Sequence, residues 1–163
     1  MFLKYFLVFF ISMVPLIEIR GSIPYALTQI NQGYDLNFPL CCAIAILGNM
    51  LPVPIIFFFA RKVLEWGKDK KVIGKFFTFC LEKGHKGGKK LEEKAGKGLY
   101  WALFLFVGIP LPGTGAWTGT LAASILDMDF KKSVIAALGG VLLAGIIVGL
   151  ICTGVLSALS FLL

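Results

Sequence analysis

PLIEIRGSIP, residues 15–24, breaks an otherwise apolar stretch with two prolines, a glycine, a glutamate and an arginine. Met1–Val14 precedes it, apolar apart from Lys4. As a helix those 14 residues reach about 21 Å at ~1.5 Å per residue, too short for a hydrocarbon core of about 30 Å. Two prolines around a Glu and an Arg do not persist in a lipid-facing helix. Non-helical backbone at membrane depth survives only where protein buries it or it lines a wet cavity. The stretch therefore reads as the tip of a re-entrant helix–turn–helix, covering residues 1–34, that enters and leaves by one side. PLPGTGAWTG, residues 110–119, follows Leu99–Ile109 in the same way, and gives a second re-entrant hairpin over 99–126.

Outward from each breaker the chain has the same order of parts: an acidic loop, then a long apolar run. GYDLNFPLCCAIAILGN (33–49) lies over ILDMDFKKSVIAALGGV (125–141) at an offset of 92, which aligns Asp35 with Asp127, Phe38 with Phe130 and Gly48 with Gly140. With a three-residue adjustment upstream, Val14-Pro15-Leu16 falls over Ile109-Pro110-Leu111. The run Phe38–Ala60, 23 residues or about 34 Å, is long enough to span. The run Ser133–Leu163, 31 residues or about 46 Å, must tilt, break or begin in the interface. The expected fold is all-α and integral to the membrane: an inverted repeat of two re-entrant hairpins, each followed by a spanning helix (38–60 and 133–163). The repeats occupy 1–60 and 98–163.

Composition agrees. Of 163 residues 58% are hydrophobic and 15% charged, against about 45–50% and about 25% in soluble domains, and the mean hydropathy is +0.86. A soluble enzyme, a nucleic-acid binder and a disordered chain are excluded. The net charge of +7 lies wholly in residues 61–97, which hold 12 Lys/Arg and 5 Asp/Glu. A short basic segment marks the cytoplasmic side, so 61–97 is placed inside a multi-pass protein of the cytoplasmic membrane. Residues 28–37, expected outside, have no Lys or Arg, whereas 127–132, expected inside, have Lys131 and Lys132. Val72, Ile73, Phe76, Phe77, Cys80 and Leu81 form an apolar stripe flanked by lysines, a cytoplasmic amphipathic helix that lies on the membrane or packs beneath the bundle. His85, in GHKGGKK, reads as solvated. The start looks like a signal sequence without a small-x-small cleavage site and is read as retained. Cys41, Cys42, Cys80 and Cys152 lack metal-ligand or CxxC spacing, and neither a metal nor a cofactor is expected.

Glu18 and Arg20 are the ionisable residues inside an apolar segment, apart from Lys4 near the terminus. Each costs about 2.5–3.5 kcal/mol to insert at a helix centre and marks function by default. Two positions apart they diverge on a helix but share a side in an extended stretch, where they could pair or line one cavity. Glu18 then exchanges protons while Arg20 holds an anionic group or sets the state of Glu18. The structural alternative is a neutralising ion pair. Pro110, Pro112, Gly113 and Gly115 make a tight turn whose freed N–H and C=O groups can bind an ion or polar substrate. Thr114, Thr118 and Trp117 add hydroxyls and an amphipathic ring, with a packing turn as the alternative. Asn49, beside Gly48 and ahead of Pro52 and Pro54, is expected to hydrogen-bond between helices, with a substrate- or proton-binding role as the alternative. Ala136, Gly140 and Ala144, with Gly145 and Gly149, form a close-packing face within the fold or between protomers. Because two spans and two hairpins make a thin scaffold around a site, a homodimer through this last helix is expected.

Three motifs, Glu18-Ile19-Arg20-Gly21-Ser22-Ile23-Pro24, Gly48 to Pro54 (GNMLPVP) and Pro110 to Gly119, resemble those of the putative small multidrug export protein family, a prokaryotic group related to the DedA/VTT membrane proteins. The resemblance covers nearly the whole chain, with the least signal in 61–97. It implies inverted re-entrant hairpins and a link to proton-dependent transport or lipid-phosphate translocation. It adds Gly21 and Pro24 to the site and makes Glu18 and Arg20 the first hairpin's functional pair, with the glycines and Thr114 the second's. The leading expectation is a proton-coupled secondary transporter of a small or amphiphilic substrate, in contact with membrane lipids. The alternatives are a translocase for an anionic lipid gripped by Arg20 and a non-transporting membrane organiser acting through 62–82. No nucleophile–base pair or phosphate loop points to an enzyme.

Overall fold

In the computed structural model, residues 2–68, 78 and 98–154 are described, and their regular structure is helical throughout. The helices are α1 (Phe2–Met13), α2 (Glu18–Asn31), α3 (Phe38–Met50), α4 (Pro52–Lys68), α5 (Gly98–Gly108), α6 (Ala116–Ile125) and α7 (Phe130–Cys152). Helices α3 and α7 start on side-chain caps: Asn37 Oδ1 accepts from Leu40 N at 3.0 Å, and Asp129 Oδ1 from Lys132 N at 2.9 Å. Pro52 and Pro54 do not break the first long run. Leu51 keeps helical dihedrals and its N–H donates to Leu47 O at 3.1 Å, so Phe38–Ala60 forms one apolar helix of 23 residues. Phe130–Cys152 is another, and both are long enough to cross a bilayer.

The halves repeat the same contacts at the offsets read from the sequence. The Tyr5 hydroxyl accepts from Asn37 N at 2.9 Å, and that of Tyr100 from Asp129 N at 3.4 Å. Gly48 lets α3 approach α1 so closely that a Cβ there would strike Ser12 Oγ and the Phe9 carbonyl. Gly140 does the same on α5, against the Phe104 carbonyl and Val107. Tyr5, Phe9 and Ser12 stand 95 positions before Tyr100, Phe104 and Val107, whereas Asn37 and Gly48 stand 92 before Asp129 and Gly140. The first helix of each hairpin thus runs parallel to the long helix that follows it.

Both ends of the first hairpin come together: Lys4 Nζ sits 4.3 Å from the Tyr34 ring centroid. The two long helices run antiparallel. Phe38 packs by Gly149 at one end, and the Phe57 and Phe130 rings lie 5.2 Å apart at the other. The second helix of each hairpin crosses to the opposite half. Ile19 of α2 packs on Gly145 of α7, and Ser124 Oγ of α6 donates to the Phe57 carbonyl of α4 at 2.7 Å.

The surface is apolar. Phe2, Leu47, Ile55, Phe59, Ile135 and Ile146 are exposed, while Ala26, Ala45, Ala116 and Ala123 are fully buried. Only 39% and 33% of the most apolar windows of the two long helices are buried. A soluble core helix would bury most of such a window, so these faces are suited to lipid.

Several boundaries differ from the sequence reading. The first breaker is shorter than ten residues. Only Val14–Ile17 leave the helix, and Pro24 lies inside α2. Helix α4 runs past Ala60 to Lys68, so the polar segment does not begin where the helix ends. The last run does break: α7 starts at Phe130 and stops at Thr153, followed by Gly154 at φ 73°. The Gly-rich face is engaged within the chain, on Phe104, Val107 and Ile19. Apart from residue 78, the stripe at 72–81 and the turn at 84–90 lie outside the described residues.

Candidate functional site

The two breakers meet. Glu18 opens α2 and is 3% exposed. Its Oε1 accepts from Trp117 N at 3.0 Å and its Oε2 from Ala116 N at 3.2 Å. These are the first N–H groups of α6, which have no intrahelical partner, and Gly115 offers no side chain to cap them. Glu18 therefore caps a helix 98 positions away in sequence, where the positive end of the helix dipole favours a carboxylate. Gly115 is required at this contact. It sits at φ 133°, and any Cβ would run into the Glu18 carboxylate.

Arg20 serves the other side of the same turn. Nη1 donates to the Leu111 carbonyl, and Nη2 to the Ile109 carbonyl at 3.4 Å and Thr114 Oγ1 at 2.8 Å. Those carbonyls follow the C-terminal end of α5, where a cation is favoured. Thr114 Oγ1 lies 2.9 and 2.8 Å from the same two oxygens. In return Trp117 Nε1 donates to the Met13 carbonyl at 3.2 Å, at the end of α1. Each breaker thus satisfies backbone groups freed by the other.

The expected extended tip, with Glu18 and Arg20 sharing a side, is corrected. On helix α2 they diverge, and each reaches a different end of the second breaker. The backbone explains how: Leu16 and Glu18 have φ of 69° and 51°. Two left-handed residues complete the reversal in four positions. Such a conformation costs a non-glycine residue about 1–2 kcal/mol. At the 95-residue offset the counterpart of Glu18 is Gly113, at φ 82°. The first hairpin places a carboxylate where the second uses glycine.

Other expected residues fall as follows. Gly115, Thr114, Trp117 and Thr118 join Glu18 and Arg20. Pro112 and Gly113 are exposed and Pro110 half-buried, so these shape the turn. Gly21 packs on Ile17, and Pro24 accepts from Thr28 Oγ1 at 2.9 Å within α2. Asn49 is fully buried on α3, and neither amide atom has a partner, contrary to the interhelical bond expected of it.

Beside Glu18 lies a cavity of about 610 Å³, in the range that holds a drug-sized molecule. Glu18, Thr114, Trp117 and Thr118 line it, together with Ile56, Phe59, Ala60 and Val63 of α4 and Leu121 and Ile125 of α6. The sequence reading missed the α4 wall. Its signal was present as the spacing 56, 59/60, 63, one helical face, but nothing local said that this face met a hairpin tip.

Apolar lipid-suited faces around a buried polar junction define a small helical membrane protein. A family model described as "Putative small multi-drug export protein" matches residues 18–147, about four-fifths of the chain, including Glu18, Arg20 and the whole of the second breaker. The chain belongs to this family. No curated protein and no solved structure matches it.

Proposed function

We propose that the chain is a proton-coupled exporter of small amphiphilic compounds, working at the junction of two re-entrant hairpins in the cytoplasmic membrane. The family supports export. The re-entrant, inverted arrangement is supported by the meeting of Lys4 with Tyr34, the antiparallel long helices and the contacts repeated at offsets of 95 and 92. In such an arrangement the junction falls where paired broken helices hold substrates and coupling ions in secondary transporters, which supports the reading.

The observation that carries the reading is the Glu18 carboxylate, which bridges the two tips and borders the cavity. Both carboxylate oxygens of Glu18 hold α6, and the residue lines the cavity. A proton or substrate arriving from the cavity acts on the same group that ties the halves together, so occupancy is coupled to the tip contact. The lipid-translocase alternative gains less, because both Arg20 Nη atoms are committed to Leu111, Ile109 and Thr114 and Arg20 does not line the cavity.

The test is reconstitution in liposomes with an internal pH dye and an imposed proton gradient, supplying lipophilic amines and phosphorylated amphiphiles in turn. Wild type is expected to show substrate-dependent proton movement and Glu18→Gln none. Equal movement in the variant contradicts the proposal.

A further inference from the structure

We infer that the groove between α5 and α7 holds a phospholipid, with its phosphate on Lys132 and an acyl chain over Gly139. The described linings of this groove and of the cavity beside Glu18 have no residue in common, and the inference does not depend on transport. Helices α5 and α7 start at the same end of the molecule, where the Tyr100 hydroxyl accepts from Asp129 N. The groove descends between them from that end. Tyr100 and Lys132 stand at its mouth, Trp101, Ile135 and Ala136 further in, and Phe104 and Gly139 deepest. Its volume is about 460 Å³, and Trp101 and Ile135 on its rim are largely exposed, so it opens sideways on the face suited to lipid.

The other half of the molecule serves as an internal comparison. At the offset of 95, Tyr5, Phe6 and Phe9 stand for Tyr100, Trp101 and Phe104, so the aromatic wall is kept. At the offset of 92, Leu40, Ile44 and Leu47 stand for Lys132, Ala136 and Gly139. The second half therefore exchanges two large aliphatic side chains for small ones along the groove and puts a cation at its mouth. At Gly139 the floor is the Phe104 ring, which a Cβ would meet at 3.0 Å. Lys132 Nζ stands 5.6 Å from the Tyr100 ring centroid, a contact that holds the ammonium over the mouth. A lysine stem lies along apolar surface while its charge reaches headgroup level, the level that Tyr and Trp also favour. The acids of the same loop stand outside the lining: Asp129 spends Oδ1 on Lys132 N, and Asp127 precedes it. They leave room for the amine of a zwitterionic headgroup, so the group recognised is the phosphate that phospholipids share rather than a net charge. Free inorganic phosphate would leave the apolar floor unused, and a lipid without phosphate would leave Lys132 unused.

The experiment is native mass spectrometry of the full-length protein, delipidated in detergent and titrated with phosphatidylglycerol or with diacylglycerol of the same chains. Wild type is expected to retain a single phosphatidylglycerol per chain, at least about tenfold more tightly than diacylglycerol. Lys132→Leu puts the first half's residue at an exposed position and should remove that difference, whereas Lys132→Arg should keep it. Gly139→Leu fills the groove and should abolish binding of both lipids. The Lys132 variants decide the matter even where Gly139→Leu, pressed against Phe104, fails to fold. Phosphatidylglycerol held no more tightly than diacylglycerol overturns the inference, as does binding that Lys132→Leu leaves unchanged. So does a wild type that takes up neither lipid, whether the stripe at 72–81 or a second copy, seen as a dimer, covers the groove instead.

Discussion

At Glu18 an unfavourable backbone and a favourable contact coincide. Its φ of 51° is the kind of conformation the second hairpin gives to Gly113, and about 1–2 kcal/mol of strain is retained there. Two charge-assisted bonds to α6 offset it, since such bonds contribute about 1.5–3 kcal/mol each. Gly113 and Gly115 separate the effects. Gly113 has nothing within 4 Å of a Cβ, so Gly113→Ala should cost only backbone strain, about 1 kcal/mol. Gly115→Ala adds a collision with the Glu18 carboxylate and should cost at least about twice as much. Thermal unfolding in detergent checks both; equal losses would mean that the Gly115–Glu18 contact is not what holds the tips. That Glu18 and Arg20 must find compensating partners was legible from two charges in an apolar segment. Their partners were not, because residue preferences give no reason to place left-handed backbone at Leu16 and Glu18.

Among the elements, the sequence offsets translate into matching close approaches. Gly48 on Phe9 and Ser12, and Gly140 on Phe104 and Val107, leave no room for a side chain against backbone. Gly48→Val and Gly140→Val are each expected to destabilise by about 1–3 kcal/mol. Gly149→Ala, whose nearest neighbour is Phe38 Cζ at 3.9 Å, should be close to neutral. The same unfolding assay decides it, and a neutral Gly140→Val would show that α5 does not lie on α7 as described. The matched spacing could be read because Asp35 and Asp127, Phe38 and Phe130, and Gly48 and Gly140 keep one offset. The helix ends could not. The span 38–60 reads as one helix despite Pro52 and Pro54, and Leu51 does hold the helix through them, while Thr153 and Gly154 end the helix inside a longer apolar run. Packing decides the first case, and a left-handed cap decides the second.

For the whole molecule, the membrane class followed from composition, but the cavity did not. Its wall is Ile56–Val63 of α4, brought to the first hairpin's tip by α6 of the other half, a non-local arrangement with no local signature. The Gly-rich face of α7, read as packing within the fold or between protomers, packs on α5 and α2 inside the chain. The central claim is that two hairpins enter from opposite sides and meet at Glu18. The most direct measurement is labelling with a membrane-impermeant maleimide in right-side-out and inverted vesicles. Lys4→Cys, Asp35→Cys and Lys131→Cys would each be placed in a background with Cys41, Cys42, Cys80 and Cys152 replaced. Positions 4 and 35 should label only from outside, and position 131 only from inside. Labelling of 4 and 35 from opposite faces, or of 35 and 131 from the same face, would contradict the account.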